Sequence, residues 1–214
     1  KVMFSTSGYN GVKVIKKLIQ EIDPNNIQYI RLNSFLSKNA GSEIGEIILK
    51  TRDKDGYILD LRSNPGGLLS NAVLIADMLM RDSVIVSTVD REGYKETARA
   101  GRELLTQKPV VVLVNKGSAS ASEILSGALK ENERATIIGT QTFGKGIVQE
   151  INKLPEGSAV HITIQHYLTP NGNDIHKKGI TPDVVVEIKD EDVTNKNDVQ
   201  LKKGIEVLEQ KISK

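Results

Sequence analysis

Five consecutive apolar residues, Val110-Val111-Val112-Leu113-Val114, lie between Pro109 and Asn115 and form the most hydrophobic strand candidate of the chain. The run is too short for an independent buried helix, and its β-branched residues carry no polar alternation. A strand of that kind is covered on both faces, as at the centre of a parallel sheet with helices on either side. The next residues agree. Gly117-Ser118-Ala119-Ser120-Ala121-Ser122-Glu123 reads as a turn, and Ile124-Leu125-Ser126-Gly127-Ala128-Leu129 continues it as an apolar helix.

Strand and helix patterns alternate along the rest of the chain, which predicts an α/β layer fold. Strands are expected over 27–32, 57–61, 83–89, 109–115, 135–139, 146–152 and 158–167. Helices are expected over 37–51, 68–80, from the serine turn to about 132, and near 199–212, with a hairpin or loop over 90–102. Val12, Ile15, Ile19 and Ile22 recur at helical spacing, so 9–23 reads as an amphipathic helix that Asp23-Pro24-Asn25-Asn26 ends. The expected division is 1–26 as an N-terminal helical segment, 27–189 as the core, and 190–214 as a polar linker and C-terminal helix. No strand leads into a G-x-G-x-x-G or P-loop sequence. Asn64-Pro65-Gly66-Gly67, the nearest candidate for a phosphate cradle, reads as a tight strand-to-helix turn.

Composition excludes several chemistries. With 29 Lys and Arg against 27 Asp and Glu, the formal net charge is +2, and no basic stripe marks a nucleic-acid surface. The chain has no cysteine, hence no disulfide, thiolate nucleophile or zinc–thiolate site. No apolar run approaches the roughly 20 residues of a membrane-spanning helix. No apolar signal region follows Lys1, so a targeting segment is expected to have been removed or never included. His161, His166 and His176 are the only histidines, and neither an H-x-x-x-H nor an H-E-x-x-H pattern supports a metal.

A hydroxyl nucleophile needs a base, and no histidine stands out for that work. A neutral lysine serves instead in Ser-Lys sites. The serine turn supplies the hydroxyls, and Gly144-Lys145-Gly146 supplies the amine. A serine at a helix start is ordinarily an N-cap. Residue chemistry alone leaves Ser118, Ser120 and Ser122 almost equal as nucleophiles.

Four segments in order carry a resemblance. Leu61-Arg62-Ser63-Asn64-Pro65-Gly66-Gly67-Leu68, Ser118-Ala119-Ser120-Ala121-Ser122-Glu123, Thr142-Phe143-Gly144-Lys145-Gly146, and the pair Tyr167-Leu168-Thr169-Pro170-Asn171-Gly172 with Gly179-Ile180-Thr181-Pro182-Asp183 are similar to the carboxyl-terminal processing, or tail-specific, proteases. The wording Asn173-Asp174-Ile175 leans towards the cyanobacterial and plastid branch. The resemblance implies a crotonase and Clp-protease type of core built from strand–strand–helix units. It implies a serine endopeptidase that cuts polypeptides with exposed C-terminal tails near their C-termini, without a cofactor, in an exported location. Family alignment favours Ser120 as nucleophile, three residues before Glu123 and 25 before Lys145. It also assigns Gln149 to position Lys145, with Thr142 and Glu123 as supports. Glu131 stands where some relatives carry Asp, which argues against an essential acid there. Such proteases usually carry a PDZ domain before the core, and residues 1–26 are too few for one.

Side-chain chemistry fits these roles. A free lysine titrates near about 10.4 and is a poor base at neutral pH. Apolar burial without a carboxylate partner lowers that value, and Phe143, Gly144, Gly146, Ile147 and Val148 surround Lys145 in sequence. On a strand, Lys145 and Gln149 are expected to share one face, so that Gln149 orients the amine without adding charge. The backbone N–H groups of Gly66 and Ala121 are the expected oxyanion donors, with Gly67 as the alternative to Gly66. A peptide substrate is expected to pair with the edge of the strand leading to Lys145 or of the one leading to Asn64. The alternative function is a catalytically silent peptide-binding or scaffold module on the same fold.

Overall fold

The computed structural model describes residues 12–13, 26–154 and 158–213. In chain order the elements are β1 (Val12–Lys13), β2 (Ile27–Leu32), α1 (Ala40–Lys50), β3 (Gly56–Asp60), α2 (Leu69–Leu79), β4 (Val84–Asp90), β5 (Lys95–Arg99), β6 (Val110–Val114), α3 (Ala121–Glu131), β7 (Ala135–Gly139), β8 (Ile147–Lys153), β9 (Ala159–Leu168), β10 (Val184–Val185), α4 (Asp190–Thr194) and α5 (Val199–Ile212). One sheet has the order β1-β2-β3-β6-β7-β10, parallel from β2 to β10 and antiparallel at β1. The second, β5-β4-β9-β8, is antiparallel.

The apolar run of β6 is buried at every residue, next to β3 and β7. Period-two alternation sorts its side chains between two cores. Val110, Val112 and Val114 face α1, α2 and α3, with Leu59, Ile44, Ile75 and Leu125 in the same cluster. Val111 and Leu113 face α5, with Ile58, Leu201, Ile205 and Leu208. The main sheet is therefore the middle of three layers, as its uninterrupted hydrophobicity requires. Among the described residues no helix is long and apolar enough to cross a membrane.

Three expectations need correction. Val12 and Lys13 pair antiparallel with Leu32 and Arg31 as a strand, where 9–23 reads as helix. The other residues of that predicted helix lie outside the described ones. The expected linker over 190–198 contains the short helix α4, whose first turn holds Asp190, Glu191 and Asp192. These acids suit the positive end of a helix dipole. Val184 and Val185 form β10 beside β7, where the sequence pattern indicated no strand. Two residues are too few for periodicity to register.

Parallel strands β3 and β6 are neighbours, so the loops after them emerge side by side at one end of the sheet. That end is where ligands bind in open α/β sheets. Both loops run into the N-terminus of a helix on the same face, α2 after Gly67 and α3 after Ser120.

Candidate active site

Hydrogen bonds join the two loops. The Ala119 N–H donates to Asn64 O at 3.0 Å. Ser63 N–H donates to Asn115 Oδ1 at 2.7 Å. Ser118 and Ser122 are part of this seam. The Ser118 hydroxyl donates to Leu61 O at 2.9 Å and accepts the Asn115 N–H at 3.0 Å. The Ser122 hydroxyl donates to Asn64 O at 2.9 Å. Both serines are fully buried. Ser120 alone of the three is half-buried. Its backbone holds φ 55° and ψ −115°, a region that costs a residue with a Cβ about 1–3 kcal/mol.

Gly66 lies against this serine. A Cβ built on it would fall 2.9 Å from Ser120 Cβ, 2.9 Å from the Ala121 nitrogen and 2.6 Å from Ala119 O. Its φ of +97° also favours glycine. The structure thus brings together the predicted Gly66, Ser120 and Ala121. The Ala121 N–H makes no hydrogen bond among the described residues, as expected at the first turn of a helix. The Gly66 N–H differs from expectation: it donates to Asn64 Oδ1 at 2.9 Å. The Gly67 N–H has no partner among the described residues.

Lys145 is tied to Ser120 through Glu123. The fully buried Glu123 carboxylate accepts four donors. Oε2 takes the Ser120 N–H at 2.9 Å and the Lys145 N–H at 2.8 Å. Oε1 takes the Thr142 hydroxyl and the Gly144 N–H, each at 2.6 Å. Buried carboxylates need such saturation, because an unpaired buried charge is costly. One side chain on the first turn of α3 therefore clamps the lysine loop to the serine turn. Thr142 Oγ1 also accepts the Ile180 N–H at 2.7 Å, which anchors the Gly-Ile-Thr-Pro-Asp segment. Asp183 in that segment accepts the Ile137 N–H at 2.8 Å. Glu131 accepts from Asn171 and Asn173 in the same region.

Two details of the lysine depart from expectation. Lys145 precedes β8 rather than lying in it, so strand alternation does not relate it to Gln149. It is half-buried, while Phe143 and Gln149 are exposed. Neither the Lys145 amine nor the Gln149 amide makes a hydrogen bond or ion pair among the described residues. The segment carrying His176 crosses close beneath the loop, where a Cβ on Gly146 would strike His176 N at 2.5 Å. The rings of His166 and His176 meet edge to face at 5.9 Å, and His166 Nδ1 lies 3.8 Å from Asp174. The side chain of His161 lies outside the described ones.

The strand edges also differ. β3, which leads to Asn64, is flanked by β2 and β6, and β7, which leads to Lys145, by β6 and β10, so neither expected strand has a free edge. The free edge belongs instead to β8, which follows Lys145 and is paired only to β9 among the described residues.

Sequence reading missed what sets this geometry. Asn64 is fully buried, and its Nδ2 donates to Leu32 O at 2.8 Å while Oδ1 holds Gly66. Behind it, Arg62 bonds Asp60 Oδ2 at 2.7 Å and the two Asp198 oxygens at 2.7 and 2.8 Å. Burial works against the Arg62 charge, but the bonds to Asp60 and Asp198 more than offset it and hold its pKa above the ordinary value. Burial raises Asp198, but the Arg62 bonds and charge outweigh that and leave it below the usual carboxylate value. Burial, then the Asp60 charge, push Tyr29 up. The N-cap of α5 is thereby locked to the strand end that carries Asn64 and Gly66. No local pattern signals a pairing across 136 positions.

Residues 26–186 match peptidase family S41, and the chain belongs to that family. It is 47% identical over 187 residues to a carboxyl-terminal-processing protease of Synechocystis sp., covering 85% of this chain and 44% of that protein. It is 44% identical over 160 residues to the chloroplastic carboxyl-terminal-processing peptidase 3 of Arabidopsis thaliana, covering 73% and 31%. Its fold matches the photosystem II D1 C-terminal processing protease with a TM-score of 0.68 and 39% identity, over 75% of this chain and 42% of that one. The chain spans less than half the length of these relatives.

Proposed function

We propose that this chain carries a serine endopeptidase site that cuts polypeptides near their C-termini with Ser120 as nucleophile and Lys145 as general base. The observation that carries the reading is the Glu123 clamp, which binds the backbones of both residues to one carboxylate. The neutral Lys145 amine takes the Ser120 hydroxyl proton as Oγ attacks the peptide carbonyl. The oxyanion accepts the Ala121 N–H and a second donor from Gly66 or Gly67. Among the described residues the Gly67 N–H has no other partner, whereas Gly66 must share its hydrogen with Asn64. The lysine returns the proton to the leaving amine. Lys145 then deprotonates a water molecule that attacks the acyl carbon, and its ammonium returns the proton to Ser120 Oγ as the acyl–Oγ bond breaks. Gln149 orients the amine. An extended peptide that pairs with the open edge of β8 covers the half-buried lysine and excludes water from it.

The relatives' printed names support C-terminal processing of polypeptides; an exported location is part of this proposal and rests on the resemblance alone. One observation favours a second reading, a silent peptide-binding scaffold: Lys145 Nζ makes no hydrogen bond to Ser120. Catalytic hydrogen bonds often tighten only in the substrate complex. Mass spectrometry of products from an unfolded protein with an apolar tail separates the two. The protease reading predicts fragments shortened from the C-terminus. Intact substrate that still binds would support the scaffold.

A further inference from the structure

Three large apolar side chains stand in solvent on backbones fixed around Ser120. Leu36 is 69% exposed, Leu68 38% and Phe143 66%. Single exposed apolar residues are ordinary and need no explanation. These three differ from the rest in what holds their main chains. The Phe143 N–H donates to Ser118 O at 3.0 Å. Its neighbours Thr142 and Gly144 both bond Glu123 Oε1. The Leu68 N–H donates to Phe35 O at 3.0 Å, directly after Gly66 and Gly67. The Leu36 N–H donates to Ser34 Oγ at 3.1 Å, and that hydroxyl donates to Gly66 O at 3.3 Å. A Cβ on Gly67 would lie 2.5 Å from the Leu36 nitrogen. Because Gly66 touches Ser120, Leu36 and Leu68 stand on the glycine side of the nucleophile. Phe143 stands on the lysine side.

We infer that Leu36, Leu68 and Phe143 determine specificity by gripping apolar side chains of the polypeptide beside the scissile bond. The inference rests on the protease reading and adds the residues that select the cut site. A peptide laid across Ser120 passes between the two leucines and the phenylalanine, and apolar residues there cover surface that water otherwise wets. The backbones are already ordered, so no loop needs to be fixed when the peptide arrives. Two clefts among the described residues, about 560 and 390 Å³, are lined by neither Ser120 nor Lys145. Side chains as exposed as these three make a shallow grip that sets a preference rather than an absolute requirement.

The test uses fluorogenic peptides that differ only in the residues next to the scissile bond, Leu against Ser. Phe143→Ala and the double variant Leu36→Ala/Leu68→Ala are compared with Leu49→Ala, a truncation of a 44% exposed leucine on α1. The parent should prefer Leu in kcat/KM, and each test variant should cut that preference about tenfold. Leu49→Ala should leave it unchanged. Phe143→Leu and thermal unfolding guard against misfolding, since a retained apolar group should restore part of the preference. A preference that is absent in the parent, or unchanged in both test variants, overturns the inference while leaving the protease reading intact. Absence of any cleavage, with no fluorophosphonate adduct on Ser120, overturns both.

Discussion

Glu123 holds Lys145 by its main chain and not by its amine: Oε2 accepts the Lys145 N–H at 2.8 Å while the same oxygen accepts the Ser120 N–H at 2.9 Å. The carboxylate's acceptor capacity goes to backbone and hydroxyl donors. Among the described residues the lysine loop is thus positioned without an ion pair to its amine.

Glu123→Gln replaces one acceptor oxygen with an NH2 group facing two donors. At least one buried N–H then loses its partner, at a cost of about 1–3 kcal/mol. Thermal unfolding should fall by several degrees. Peptidase activity should fall about 100-fold, because Lys145 and Ser120 lose their common anchor. Equal activity in a folded Glu123→Gln protein would remove the clamp from the account.

Ser120→Gly and Ser120→Ala separate strain from chemistry. Both lose the hydroxyl and should show no fluorophosphonate adduct. Only glycine relieves φ 55°, ψ −115°. Ser120→Gly should therefore be more stable than Ser120→Ala by about 1 kcal/mol in denaturant unfolding. Ser118→Ala should behave in the opposite way. It strands the Asn115 N–H and leaves Leu61 O with the Asn64 N–H alone, losing about 1–3 kcal/mol of stability, yet should still label at Ser120.

Much of this arrangement is legible in sequence. The uninterrupted run of 110–114 announces a central parallel strand, and amphipathic spacing places α1, α2, α3 and α5 within a few residues of their observed limits. Ser120, Gly66 and Ala121 fall together because adjacent parallel strands deliver their loops to one edge. The even split among Ser118, Ser120 and Ser122 is beyond local chemistry. It is broken by Leu61 and Asn64, carbonyls more than fifty positions away that engage two of the three hydroxyls. Asn64 and Arg62 look like turn and loop residues in sequence, yet their partners lie on β2 and at the start of α5. The two-residue strands β1 and β10 exist only through tertiary pairing.

Gly66→Ala should damage the site severely. Its Cβ meets backbone at 2.6 and 2.9 Å and Ser120 Cβ at 2.9 Å. The neighbours are rigid, so the loop must shift. Activity should drop at least about 100-fold. Gly101→Ala, where nothing lies within 4 Å, is the matched control and should remain active.

Acid stability should report the Asp198–Arg62 lock. Asp198 has a folded pKa below its ordinary value. Its contribution is therefore complete above the usual carboxylate range, near about 4, and is lost as pH falls through the lower folded value. Asp198→Asn should remove that part of the acid dependence and lower stability at pH 7. Partial exposure of the carboxylate reduces the size of the effect. An unchanged acid limb in Asp198→Asn would place the sensitivity elsewhere.

The central claim is that Lys145 activates Ser120 as a base. Its most direct test is residue-resolved mass spectrometry of fluorophosphonate labelling in the parent, Lys145→Ala and Lys145→Arg, followed across pH. The adduct should map to Ser120 in the parent and form faster as pH rises, because only a neutral amine accepts the proton. It should be nearly lost in both variants, since arginine stays charged and cannot replace the base. An adduct on another residue, or labelling by Lys145→Arg at the parent rate, would contradict the account.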